Sequence, residues 1–488
     1  MTPLMLLPFL APVVASLISV VVGWRRLSAV ATLVSALTIL GSGVALGFRL
    51  DDRAHLALNG FLRADALSVT MLIVIGVVGS LATWASIGYI DAELARGVTD
   101  PRGARLYGIL TPAFLAAMAL AVSANNIGVV WVAVEATTVV TAFLVGHHRS
   151  RAALEATWKY VMVCSVGITI AFLGTVLLHF AARHAGAGSE DALHLDVLVA
   201  HAAGLDPAVT RLAGALLLIG YGAKMGLAPF HSWLADAHSQ APAPVSALMS
   251  GVLLSVAFSV LIRLKPIVDA AVGPTFLRTA LLITGLATML IAALLLTVTA
   301  DLKRMLAYSS METMGLIAVA AAAGTVPAIA ALLLHVLAHG VGKTVLFLAG
   351  GQLQAAHGTT AIGEITAVLG RSRLVGGAFA VGMVVLLGLP PFAMFASELA
   401  IAMSLADAQL AWALALALTA LLVAFAALTA NSGRMLLGAA SAGGPAIRVP
   451  ATVAAALVAG VLVSVALGIT AGPLAGLFTT AATQLGAL

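Results

Sequence analysis

His335, His339 and Lys343 stand at i, i+4 and i+8 in an otherwise apolar run, so on a helix they form one polar stripe. A neutral imidazole both donates and accepts hydrogen bonds, and it exchanges protons readily at cellular pH. The chemistry of such a stripe is a proton relay, a path rather than a point. Three more ionisable residues interrupt apolar surroundings. Glu135 follows the run Ile127–Val134, Lys224 precedes Gly226–Phe230, and Glu398 follows Gly388–Phe392. A lysine whose proton affinity depends on the distance of a carboxylate such as Glu135 is a switchable proton site. Glu312 is an ambiguous member of the set, because Tyr308, Ser309 and Ser310 beside it offer plain solvation. Taken singly, a buried histidine is commonly just a hydrogen-bonded core residue, and Lys224 with Glu135 has the alternative reading of a structural ion pair. Against that, buried pairs stabilise weakly, and a charge at bilayer depth costs at least about 2.5–3.5 kcal/mol.

The elements that must hold these residues are membrane spans. Of the 488 residues, 62% are hydrophobic and 9% charged, against roughly 25% charged in a soluble domain. Charges fall in short islands between apolar runs of about 20 residues, the length that crosses a bilayer. The net charge of +5 accompanies no basic stripe with interleaved aromatics, which excludes a nucleic-acid face. A single cysteine, Cys164, builds neither a disulfide framework nor a zinc or iron-sulfur site, so no cofactor is expected in this chain and any redox centre belongs to partners. No metal ligand set is read from the spacing of the histidines and acids. The stretch 1–22 lacks a basic region before its apolar run and reads as a retained first span.

Windows of helix length predict fourteen spans: 2–22, 27–48, 64–90, 106–122, 124–146, 157–181, 209–228, 241–262, 275–298, 301–322, 326–353, 374–403, 408–430 and 450–470. Ser123–Asn126 must turn the chain between the fourth and fifth. With external termini, the cytoplasmic connections hold 14 Lys and Arg, Lys303 and Arg304 among them, and the opposite side 8. The positive excess marks the cytoplasmic side, so both termini are expected outside. Arg263 and Lys265 read as side chains snorkelling at a helix end, and His231, Asp236 and His238 as the cytoplasmic mouth of the first helix break.

That break is one of two. Gly226-Leu227-Ala228-Pro229-Phe230 in the seventh span returns as Gly388-Leu389-Pro390-Pro391-Phe392 in the twelfth, each near an ionisable residue. Paired broken helices in spans of opposite direction point to inverted repeats and an ion path. Their freed backbone groups need water or polar side chains.

The stretch Lys224–Gly251, KMGLAPFHSWLADAHSQAPAPVSALMSG, resembles the signature of the antiporter-like subunits shared by complex I, multisubunit sodium/proton antiporters and group 4 nickel-iron hydrogenases. Asp301–Gly315, His335–Gly351, Leu389–Glu398 and Asp65-Ala66-Leu67-Ser68 resemble the same family, and the resemblance covers about residues 60 to 430. The run DAHSQAPAPVSALMSG and Glu398 look closest to hydrogenase 4 component F and its formate hydrogenlyase relatives.

This resemblance implies an all-α polytopic membrane protein of about fourteen helices with two inverted five-helix repeats and broken helices 7 and 12. The expected divisions are 1–105 for helices 1–3, 106–265 and 266–435 for the repeats, and 436–488 for helix 14. It places the family's proton axis on Glu135, Lys224, His335, His339, Lys343 and Glu398. It implies a bacterial or archaeal plasma membrane, other membrane-arm subunits and a peripheral redox arm as partners, and protons or sodium as cargo. Serine at Ser255 and threonine at Thr313 replace a lysine and a histidine common in relatives, so the path must be bridged there by water, Glu312 or the stripe. The chain stops about 18 residues after the fourteenth span, too few for the long lateral helix of the longest complex I subunit.

The expected function is proton translocation driven by a redox reaction elsewhere, with a proton passing along His339, His335 and Lys343 to Glu398. The alternatives are a sodium/proton antiporter module and a membrane partner of a carbon dioxide-hydrating protein. A haem subunit using His335 and His339 is disfavoured, since two ligands on one helix face do not flank one iron.

Overall fold

The computed structural model describes residues 1–51, 53–438 and 446–486. Its helices run α1 Thr2–Val22, α2 Arg26–Gly47, α3 Ala66–Ala95, α4 Pro101–Ser123, α5 Ile127–Val145, α6 Arg151–His184, α7 Leu195–His201, α8 Pro207–Met225, α9 Ser232–Gln240, α10 Ala243–Leu248 and α11 Leu254–Val272. They continue α12 Thr275–Val298, α13 Leu302–Ala323, α14 Val326–His357, α15 Val368–Arg371, α16 Arg373–Leu386, α17 Ala393–Asp407, α18 Ala411–Leu437, α19 Ala451–Ile469 and α20 Gly472–Gln484. One π-helical turn, Met249–Leu253, joins α10 and α11 into a continuous 30-residue crossing. A small antiparallel hairpin, β1 His55–Ala57 with β2 Leu62–Ala64, precedes α3.

Local chemistry sets these boundaries. Asp100 and Asp206 each cap a helix that starts with proline, accepting from Gly103 N and Val209 N. Asn126 caps α5 through Gly128 N and Val129 N, so the chain turns between Ser123 and Ile127 as its polar residues require. Both expected breaks are present, at 226–231 between α8 and α9 and at 387–392 between α16 and α17. Gly226 (φ 75°) and Gly388 (φ 59°) take the left-handed conformation that ends each first half.

Among the described residues, twelve helices, with α10–α11 counted as one, are long and apolar enough to cross a membrane. Their burial divides them. The most apolar windows of α10–α11, α13 and α14 are 100%, 94% and 94% buried, whereas those of α1, α18 and α19 are 28% buried. Polar-lined crossings therefore form a central column and the outer helices turn leucine and valine outward, among them Leu17, Leu422 and Leu462. Such a surface is stable in lipid and not in water. The chain is a multi-pass membrane protein.

Two charged residues sit where the sequence does not lead one to expect them. Arg263 does not snorkel: its side chain is only 9% exposed, and its guanidinium donates to Asp65 Oδ1 at 2.8 Å and Ser68 Oγ at 2.7 Å, which ties α11 to the start of α3. Lys265 pairs with Asp269 one turn along. Lys303, counted above as a loop charge, is 1% exposed and donates to the Ser239 and Ala241 carbonyls at 3.2 and 2.8 Å. Both positions look like helix ends in sequence, and the tertiary contacts that cover them come from distant segments.

Burial works to raise the Asp65 carboxyl, but the Arg263 and Arg63 guanidiniums prevail and hold it well below the usual carboxylate range. Its stabilising effect is therefore complete above about pH 4 and fades only as pH falls below that, toward the folded value. Asp65→Ala leaves Arg263 buried and unpaired, and thermal unfolding of the detergent-solubilised chain is expected to show a loss of about 3–5 kcal/mol. Adding Arg263→Met should return part of it.

Candidate functional site

Lys224 lies in the last turn of α8, two residues before the left-handed Gly226, with its side chain fully buried. The backbone freed by the break is satisfied by polar side chains. Trp233 Nε1 donates to the Ala223 carbonyl at 2.9 Å, and Ala228 N donates to Thr288 Oγ1 at 2.9 Å. The Lys224 ammonium donates to Thr138 Oγ1 at 2.8 Å and to the Tyr160 hydroxyl at 2.6 Å, and it stands 4.8 Å from the centre of the Tyr160 ring.

Thr138 is one turn beyond Glu135 on α5 and donates to Glu135 Oε2 at 3.1 Å, while Ser165 donates to Oε1 at 3.1 Å. Glu135 and Lys224 are thus brought together through a hydroxyl rather than as a direct ion pair. Thr138 and Tyr160 are the residues that sequence reasoning missed. A threonine at i+3 from a glutamate was the available signal for one, and nothing in the sequence marks the other.

The stripe on α14 is as expected: His335 and His339 are 1% exposed and Lys343 is 0% exposed. Lys343 donates to the Leu306 carbonyl at 2.7 Å and to Ser309 Oγ. His339 lies against the backbone at Ser250, in the π-helical turn. The approach depends on two glycines, since a Cβ on Gly340 would stand 2.8 Å from the Gly251 carbonyl oxygen and one on Gly251 3.0 Å from that of Gly340. His335 Nδ1 pairs with Ser397 Oγ at 2.9 Å, next to Glu398 in sequence. The spatial order is therefore Lys343, His339, His335, Ser397, with Lys343 at the end remote from Glu398 rather than beside it.

Glu312 and Glu398 face one cavity of about 270 Å³, otherwise walled by apolar side chains such as Leu386, Leu422 and Phe425. The serines do not solvate Glu312. Ser309 and Ser310 donate to the Leu306 carbonyl, and Glu312 Oε1 has no partner among the described residues. Gly388 is required here twice over: besides its left-handed φ, a Cβ would stand 2.1 Å from Glu398 Oε2. The break itself makes room for the carboxylate.

Of the two atypical positions, Ser255 is buried with a partnerless hydroxyl, whereas Thr313 donates to the Ser309 carbonyl at 3.1 Å. His238 is not at a mouth. It is 0% exposed, both ring nitrogens are unpartnered, and its ring lies between Trp233 (6.2 Å) and Phe347 (5.7 Å). Phe347 is one turn past Lys343 on α14, so His238 occupies the space between the first break and the stripe. Asp236 does lie near the surface, bridging Lys159 (3.0 Å) and Arg304.

A polytopic helical bundle with ionisable side chains sealed along its central column is the class these features define. Residues 124–424 match the family described as NADH:quinone oxidoreductase/Mrp antiporter, TM, and the chain belongs to that family of antiporter-like membrane subunits. It is 36% identical over 395 residues to a hydrogenase-4 component F homolog of Methylacidiphilum infernorum (isolate V4), covering 80% of this chain and 81% of the relative. Its fold is similar to a chain of the membrane-bound sulfane sulfur reductase, an archaeal respiratory membrane complex, with a TM-score of 0.86 at 22% identity, over 99% of this chain and 96% of that one. A chain of the Mrp complex from Dietzia sp. DQ12-45-1b superposes with a TM-score of 0.85 at 22% identity, over 99% and 98% of the two chains.

Thr138→Val keeps the shape of the side chain and removes the hydroxyl between Glu135 and Lys224. Proton movement across vesicles carrying the assembled protein is expected to slow about tenfold, the effect of roughly one hydrogen bond, with assembly unchanged.

Proposed function

We propose that this chain translocates protons as the membrane subunit of a redox-driven assembly, through Glu135, Lys224, Lys343, His339, His335 and Glu398, with Glu312 sharing the final cavity. The observation that carries this reading is the set of buried polar atoms without partners among the described residues. His238, Ser255, Glu312, His335 and His339 all belong to it. Buried groups of this kind are solvated by internal water, and water beside exchangeable side chains makes a proton path rather than a structural network.

In this reading a change in the partner assembly moves Glu135 relative to Lys224 and alters the proton affinity of the lysine. Its proton moves by way of Tyr160 and the space around His238 to Lys343, then along His339 and His335, and leaves from Glu398. A proton taken up from the opposite side restores Lys224. The two helices interrupted at 226–231 and 387–392 complete fourteen crossings. The expected boundaries at 105/106, 265/266 and 435/436 fall inside α4, α11 and α18, so the two inverted five-helix repeats of this reading divide instead before α4, between α11 and α12 and after α18, with one break in each.

The 36% identical hydrogenase-4 component F homolog favours a hydrogenase-type redox arm and further membrane subunits as partners, with the redox cofactors held there. The loop charges favour external termini, in what we read as a bacterial or archaeal plasma membrane. A haem on His335 and His339 is disfavoured by geometry, since both rings lie on one helix face and His335 Nδ1 is taken by Ser397.

Lys224→Met in the intact assembly is expected to abolish proton release while electron transfer continues. Protons and electrons counted together in inverted vesicles test this, and a normal proton yield per electron would refute it. Glu398→Gln should reduce the yield likewise while leaving the assembly intact.

A further inference from the structure

Glu93, His147 and His148 have no part in the axis described above, yet their side chains converge. Glu93 occupies the last turn of α3, and the two histidines follow α5 in the turn that Ser150 closes by capping α6. Left-handed Arg149 (φ 52°) bends this turn, and both imidazoles reach the same carboxylate. His148 Nε2 lies 2.8 Å from Glu93 Oε1, and His147 Nε2 lies 3.5 Å from Oε2. Thr99 Oγ1 lies 2.8 Å from Oε2 and 2.9 Å from His147 Nε2. One ligand atom from each of the three residues falls within 4.8 Å of the others. The Glu93 and His147 side chains are 3% exposed, and that of His148 is 24% exposed.

We propose that Glu93, His147 and His148 form a binding site for a borderline divalent cation, zinc above all. Two imidazole nitrogens and a carboxylate oxygen are a donor set suited to zinc, with a fourth position for water or the Thr99 hydroxyl. Bonds of about 2.0–2.2 Å in a tetrahedron put neighbouring donors about 3.3 Å apart, and the spacings of 2.8 and 3.5 Å lie on either side of that value. The two imidazole nitrogens approach different oxygens of the carboxylate, and all three ligand atoms lie within 4.8 Å of one another, so an ion entering between them draws the donors inward around itself. Each imidazole must bind through Nε2 and carry its proton on Nδ1. The His147 ring is held edge-on to Tyr107 at 5.6 Å and to His148 at 5.2 Å, which fixes its plane before any ion arrives. His148, the most exposed of the three, provides the entrance.

The site is independent of the transport reading, and so is its test. The purified full-length chain, stripped of metal in detergent, is titrated with zinc sulfate by calorimetry, and the zinc X-ray absorption spectrum is recorded. One tight equivalent with two imidazole ligands is expected. His148→Gln and Glu93→Gln should each weaken it at least about 30-fold, whereas His184→Gln, at an exposed histidine on the far end of α6, should leave it unchanged. If Glu93→Gln does not fold, the partly exposed His148 variant decides alone. Equal zinc affinity in the wild type and His148→Gln, or a spectrum without imidazole, overturns the proposal.

Discussion

Two buried ammonium groups held by hydroxyl and carbonyl oxygens are the constraint on which the rest of this structure depends. Lys224 rests on Thr138 and Tyr160, and Lys343 rests on Ser309 and the Leu306 carbonyl. At Lys224 a carboxylate stands one hydroxyl further out, Glu135 beyond Thr138, whereas Glu312 lies three residues beyond Ser309 without a bond to it. A direct ion pair would lock each lysine in its charged form. The Thr138 hydroxyl between Lys224 and Glu135 leaves their coupling weaker and dependent on small movements, because Coulomb interactions in a low-dielectric interior change steeply with distance.

The backbone is shaped to serve that arrangement. Trp233 and Thr288 satisfy the freed groups of the first break, so Lys224 is exposed to polar surroundings without leaving main-chain groups open. Gly251 and Gly340 let α14 approach the π-helical turn closely enough for His339 to lie on Ser250. Gly388 yields its side-chain space to the Glu398 carboxylate. A Cβ on Gly388 would displace the Glu398 carboxylate, and one on Gly251 or Gly340 would push the two backbones apart.

Much of this was legible in the sequence, and the part that was not has a common cause. The α14 stripe follows from i, i+4 spacing on one helix, and the breaks follow from glycine and proline inside apolar runs, so both are local signals. Tyr160 beneath Lys224, His238 between the break and α14, Arg263 on Asp65, and Glu93 with His147 and His148 are pairings across segments far apart in sequence. Hydropathy could not foresee them. Lys303 shows the same limit: beside Arg304 it reads as a loop charge, and only the carbonyls of Ser239 and Ala241 reveal that it is buried.

The central claim is that protons traverse the column through Lys343 and the histidines above it. Its most direct test is the number of protons moved per electron in vesicles bearing the intact assembly with Lys343→Met, compared with the wild type. The account predicts that electron transfer persists and the proton yield falls, because His339 then loses its neighbour in the path. An unchanged yield per electron would contradict it.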